Sequence, residues 1–142
     1  MNFRLRFRAG SGTEPGMEPF RWSTRPRLSD SQGMSALVNE HCQVCTAATP
    51  RVEGEELERL RGELSPEWQI QGGRLRRTLR FPDFVRAFGR ATQLALVAEA
   101  EGHHPDMRVG WGYLEIELTT HAIGGLSRND FILAARFDVL GG

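Results

Sequence analysis

From Pro82-Asp83 to Gly102 the chain carries one sustained helical period, and this segment restricts the available folds more than any other. Phe84, Phe88, Ala91, Ala95 and Ala98, widened by Val85 and Leu94, share a stripe that runs to about Glu101; Asp83 supplies a start signal and Gly102 a stop. A helix apolar on one side must bury that side against another layer. The flanking segments supply strands. Trp68 and Ile70 alternate with polar neighbours, Gly72-Gly73 is a turn, and Leu75, Arg77, Leu79 and Phe81 alternate again, which predicts a hairpin. Upstream, Leu57, Leu60 and Leu64 predict a short helix over Glu53–Leu64 that ends at Ser65-Pro66.

Downstream, residues 108–120 predict one extended segment of mixed parity. Val109, Trp111 and Tyr113 share one side, while Leu114, Ile116 and Leu118 share the other. Either a bulge shifts the register, or both faces are covered, as by a second subunit. Ser127 and Asp130, spaced as Ser-x-x-Asp, open a last helix striped with Phe131, Ile132, Ala135 and Val139. The order helix, two strands, helix, strand, helix predicts an α+β sandwich, a small antiparallel sheet with helices packed on one face.

Charge removes several function classes. Eighteen basic residues balance 18 acidic ones, which takes away the electrostatic reason to expect nucleic acid or an anionic membrane as partner. All the basic residues are Arg, so neither a Schiff-base lysine nor a P-loop lysine exists. No apolar run approaches the ~20 residues of a spanning helix, and no apolar run of the kind found in secretory signals follows Arg4, Arg6 and Arg8, so a cytoplasmic address is expected. Arg74, Arg76, Arg77 and Arg80 read as a solvated strand face paired with Glu, and Phe84, Phe88, Phe131 and Trp68 read as ordinary core.

Residues 1–33 hold Pro15, Pro19, Pro26 and several glycines with no sustained period, and read as a disordered leader. A chain started at Met34 would still contain every periodic segment, as an over-extended start site would produce. Residues 34–52 form a Cys-containing N-terminal segment ahead of a domain over 53–142. Its Cys42-x-x-Cys45 pair, beside His41, lacks a second pair for zinc and a β-α-β context for thioredoxin-like chemistry, and reads as a reduced, exposed appendage. A disulfide between the two, or a metal shared across subunits with His41, are the other readings.

Three of the four histidines flank the segment 108–120: His103 and His104 before it, His121 after it. A straight strand of some 13 residues would hold its ends ~43 Å apart, so these groups meet only if the strand is short, bent or part of a hairpin. They are either two unrelated surface loops or one acid/base group. Glu99, one helical turn before His103, supports the second reading, as do the aromatic walls offered by Trp111 and Tyr113 and the carboxylate of Asp130. Histidine titrates near neutrality, so a cluster can hold an acid and a base together. A zinc site built from the three His with Glu99 or Asp130 is the competing chemistry, although no His-x-His or His-x-x-x-His pair is present.

Glu99-x-x-x-His103-His104-Pro105, an aromatic at Trp111, Leu118-Thr119-Thr120-His121, Gly124-Gly125-Leu126-Ser127 and Asp130 together resemble the signature of the pterin-4a-carbinolamine dehydratases. The resemblance spans about residues 53 to 140, with Trp68 and Phe81-Pro82-Asp83-Phe84 as further landmarks. It implies three helices on a four-stranded sheet, assembled as dimers and often tetramers. The implied reaction dehydrates 4a-hydroxytetrahydrobiopterin to quinonoid dihydrobiopterin and water, recycling the pterin cofactor of aromatic amino acid hydroxylases. No metal or organic cofactor is implied; a reduced pterin is the substrate and a pterin-dependent hydroxylase a partner.

By the same resemblance His103, His104 and His121 are the acid/base group, with His103 and His121 nearest the leaving hydroxyl and His104 toward the ring. Pro105 shapes the pocket, Glu99 and Asp130 orient imidazoles, and Thr120, Ala122 and Ile123 border the ring through backbone groups. The alternative is a non-catalytic dimerisation or partner-stabilising module of the same fold. Animal members serve also as dimerisation cofactors of a homeodomain transcription factor, a role that this Lys-free chain and its leader do not support.

Overall fold

Alternating apolar residues build one antiparallel sheet from β1 (Gln69–Gln71), β2 (Arg74–Arg80), β3 (Asp106–Gly110) and β4 (Tyr113–Leu118), in the spatial order β1-β2-β4-β3. The computed structural model describes residues 35–141; the leader expected over 1–33 lies outside the described residues. Gly72 and Gly73 turn β1 into β2 at φ of 56° and 71°, a region that side-chain-bearing residues rarely enter.

The single strand expected over 108–120 is instead a hairpin. Gly110 pairs with Tyr113, and Trp111-Gly112 is the two-residue turn, with Gly112 at φ 76°. Across that turn Val109 lies opposite Leu114 and Met107 opposite Ile116, so residues of opposite parity face the same side. The mixed pattern therefore needs neither a bulge nor a second subunit.

Three helices lie on the inner face: α1 (Gly54–Gly62), α2 (Phe84–Glu101) and α3 (Arg128–Val139). Leu75, Leu79, Leu114, Ile116 and Leu118 are buried with Leu94 and Ala98 of α2 and Phe131 and Ile132 of α3. The buried line of α2 is Ala87, Ala91, Leu94 and Ala98, rotated from the expected one. Phe84 and Phe88 thus stand outside the core, 47 % and 55 % exposed, with ring centroids 5.8 Å apart. Small side chains let α2 approach the sheet closely, and the phenylalanines are left on its outer side. Trp68 and Phe131 are buried as expected.

The outer sheet face is polar: Arg74 and Arg76 both pair with Glu117, and Arg108 pairs with Glu115. Arg77 departs from the solvated-face reading because it shares the parity of Leu75 and Leu79 and is buried. Its guanidinium donates to Asp138 at 2.6 Å and to Glu67, over the ring of Trp68. Asp138 also accepts from the Trp68 indole at 2.9 Å and the Ser65 amide at 2.8 Å, so one carboxylate ties β2 and the α1–β1 loop to the end of α3.

The Cys-containing segment is not an exposed appendage. Residues 35–52 form a strap across α3: Leu37, on a 3-10 turn over Ala36–Asn39, is fully buried in the common core, and Val52 donates its amide to the Leu126 carbonyl at 2.8 Å. Leu37→Ala is expected to lower unfolding free energy by about 2–5 kcal/mol, measurable as a shifted urea midpoint at unchanged slope. A midpoint equal to that of the parent chain would show that the strap does not belong to the cooperative unit.

Candidate active site

The end of α2 aims the first histidine. Gly102 takes the left-handed conformation at φ 64°, its amide bonds to the Glu99 carbonyl at 3.2 Å, and the His103 amide bonds to that of Ala98 at 3.2 Å. This paired closure fixes the chain direction at His103. The imidazole turns inward, nine-tenths buried, and its Nε2 lies 2.6 Å from Asp130 Oδ1.

Asp130 is the third residue of α3 and is completely buried. Its Oδ2 accepts the Ser127 backbone N–H at 2.8 Å, closing the start of the helix, and the Thr120 hydroxyl at 2.7 Å. Thr120 Oγ1 is also 2.7 Å from Ser127 Oγ. One carboxylate therefore starts a helix, holds the end of the β4 loop and orients an imidazole. A carboxylate accepts at both oxygens, so the 2.6 Å contact calls for an Nε2–H on His103 and leaves Nδ1 as its other nitrogen.

His121 stands on a pinched loop. Thr120 and Gly125 bond to each other across a 3-10 turn over His121–Ile123, and Gly124 returns the chain at φ 59°. Arg51 of the strap donates to the Ile123 carbonyl and packs its stem on Gly125. Because β3 and β4 are antiparallel, this loop lies beside the start of β3, and His121 Nε2 is 4.0 Å from Asp106 Oδ2. His104 Nε2 is 2.8 Å from Glu99 Oε2. His104 and His121 are solvent-exposed, with side chains 61 % and 74 % accessible.

The hairpin thus brings His103, His104 and His121 to one end of the sheet, together with Glu99, Pro105, Thr120, Ala122, Ile123 and Asp130. It does not bring Trp111, which sits on the turn at the far end of β3, 76 % exposed. Five residue steps along β3 separate it from Asp106, about 17 Å at ordinary strand rise. Two contributors escaped the sequence reading: Asp106, which faces His121, and Arg51, which holds the Ile123 carbonyl. Among the described residues no group of three or more His, Cys, Asp or Glu is placed to hold a metal ion, so the zinc reading has no ligand set there.

Behind the site, the strap is pinned to α2 by Glu101. Its side chain is 6 % accessible and takes the Cys42 amide at 2.9 Å, His41 Nδ1 at 3.1 Å and Arg136 Nη1 at 3.2 Å. Burial pushes this carboxyl up, but the Cys42 amide, His41 and Arg136 together outweigh burial and hold it below the ordinary glutamate range. A carboxyl lowered on folding adds stability that is complete above its unfolded value and is lost as pH falls through the folded one. In an NMR acid titration the Cys42 amide is therefore expected to hold its shift through the ordinary glutamate range and move only below it. A midpoint at or above that range would remove this account of the strap.

Known proteins resemble this chain over most of its described residues. Residues 50–140 match the family described as pterin 4 alpha carbinolamine dehydratase. A protein of Rickettsia canadensis (strain McKiel) named "Putative pterin-4-alpha-carbinolamine dehydratase" is 41 % identical over 106 residues, covering 74 % of this chain and 97 % of that one. A protein of the same name from Chlorobium limicola is 45 % identical over 107 residues, covering 72 % and 94 %. Among solved structures, "transcriptional coactivator/pterin dehydratase" from Brucella melitensis superposes with a TM-score of 0.60 at 29 % identity, covering 66 % of this chain and all of that one. The matched span includes β1 to β4, all three helices and every histidine of the cluster, and the chain belongs to the pterin 4 alpha carbinolamine dehydratase family.

Proposed function

We propose that the histidine end of the sheet binds a reduced pterin bearing a 4a-hydroxyl and expels that hydroxyl as water, converting 4a-hydroxytetrahydrobiopterin to quinonoid dihydrobiopterin. One observation carries the reading: three imidazoles, each facing a carboxylate, gather where α2, β3 and the β4 loop meet. A hydroxyl leaves when protonated, and the neutral product needs the N5 proton removed; both transfers suit imidazole near neutral pH. His121, exposed to incoming substrate, donates the proton to the leaving oxygen. His103 receives the N5 proton at Nδ1, and Asp130 stabilises the resulting imidazolium. His104 contacts the pterin ring, Pro105 shapes the pocket, and backbone groups of Thr120, Ala122 and Ile123 border it.

The acid and base come from the chain itself, and the reaction as written uses no metal or organic cofactor. A pterin-dependent hydroxylase supplies the carbinolamine, and the protein works in the cytoplasm; no described helix is long and apolar enough to cross a membrane. The exposed Phe84, Val85, Phe88 and Leu96 on α2 support a homodimer or homotetramer. The same stripe favours the second reading, a partner-stabilising module that needs no histidine.

The test generates the carbinolamine in situ with a hydroxylase and follows its decay by stopped-flow absorbance. Faster decay with this protein than without it is the expected result. No acceleration by a folded oligomer would transfer the weight to the partner-stabilising module.

A further inference from the structure

The strap carries two thiols that acid/base chemistry does not use, and a single residue of α3 collects both. Asn129 accepts the Gln43 amide at its Oδ1, 3.0 Å away, and donates from Nδ2 to the Gln43 carbonyl at 2.6 Å and to Cys45 Sγ at 3.0 Å. Its backbone carbonyl accepts the Cys42 thiol at 3.7 Å. Both cysteines are free and neither is fully exposed. Their access differs. Cys45 lines a cleft of about 630 Å³ between the strap and the first turn of α3, walled also by Val44, Arg51, Arg128 and Ile132, whereas Cys42 is not part of that wall. Burial, with the Glu101 carboxylate nearby, pushes the Cys42 thiol up to about 12, which keeps it a protonated donor.

We propose that Cys45 and Cys42 are a thiol–disulfide pair, Cys45 exchanging with a small-molecule disulfide that enters the cleft and Cys42 then closing the intramolecular bond. In the first step the Cys45 sulfur, having lost its proton, attacks one sulfur of the disulfide; a mixed disulfide forms and one thiolate leaves. In the second, slower step Cys42 leaves the Asn129 carbonyl, is uncovered and gives its proton to solvent, then attacks the Cys45 sulfur, and a second thiolate leaves. The protein loses two electrons and two protons, and the small disulfide becomes two thiols. Closure consumes the S–H that Cys42 gives to the Asn129 carbonyl and draws Cys45 off the Asn129 amide. The strap therefore loses part of its hold on α3 next to Asp130.

In a reducing compartment such a pair is a transient, regulatory disulfide rather than a structural one. The test treats the full chain with mixtures of oxidised and reduced glutathione, blocks remaining thiols with a maleimide and weighs the intact protein. The expected parent product lacks two hydrogens and takes no maleimide. Cys42→Ser is expected to stop at a glutathione adduct on Cys45, and Cys45→Ser to form its adduct at least about tenfold more slowly, since exchange depends on access. Amide exchange over 40–45 and the first turn of α3 is expected to quicken in the oxidised parent and in neither variant. Retention of both thiols under oxidising mixtures, equal adduct rates in the two variants, or unchanged amide exchange after closure would each overturn the proposal.

Discussion

His121→Ala is expected to lower the rate of carbinolamine dehydration by about 10²–10⁴-fold, the usual contribution of a positioned acid or base, with no loss of fold. The imidazole is 74 % exposed and meets Asp106 only at 4.0 Å in solvent, so its removal leaves no buried group unpaired. Effect and structure are therefore separable at this position. His103→Ala should lose as much activity, but it also strips a buried carboxylate of a donor and needs a stability control. His121→Ala at full parental rate, in a protein with parental thermal unfolding, would defeat the assignment of the site.

Asp130→Asn is expected to cost about 2–4 kcal/mol of stability and most of the activity, although it preserves shape and volume. Every partner of Asp130 donates: His103 Nε2–H, the Thr120 hydroxyl and the Ser127 amide. A carboxylate accepts at both oxygens, whereas an amide accepts at one, so Nδ2 must face a donor on one side. A buried polar group left unpaired costs about 1–3 kcal/mol, and more where a charge was involved. If the amide nitrogen turns to His103, the imidazole must present an acceptor there, and its proton shifts to Nδ1, the nitrogen that the mechanism needs free. Nitrogen NMR of the ring checks the tautomer and urea unfolding checks the stability. A variant with parental midpoint and tautomer would show that the carboxylate is not the organising group.

The parts of the fold legible in the sequence are those set by local chemistry. Asp83 accepts the Arg86 amide at 2.7 Å and Gly102 closes α2, so both ends of the helix were readable from single residues. The Trp111-Gly112 turn was not, because two residues with one glycine leave no polar cluster between the strands. Periodicity does not fix which side of α2 faces the sheet: Phe84 and Phe88 keep the period yet lie outside, because the pattern counts apolar residues without knowing what covers them. At Arg77 parity outweighed charge, since the buried guanidinium finds two carboxylates. In the site, the histidines and Asp130 were legible through their motif and the capping-box spacing. Outside the site, the hold of Asn129 on the strap was not, because its partner Gln43 lies 86 residues away.

That Asp130 both begins α3 and orients His103 has a consequence for how the protein is made. The three histidines of the cluster precede Asp130 in the chain, so they are synthesised before the residue that orients His103 is added. Until α3 docks, His103 has no carboxylate to set its proton, and the strap, made earlier still, has no Glu40–Arg128 or Gln43–Asn129 bonds to hold it in place. A nascent chain ending before 128 would thus carry the whole histidine motif without an assembled acid/base group. The contact between His103 and Asp130 is therefore completed only with the final helix.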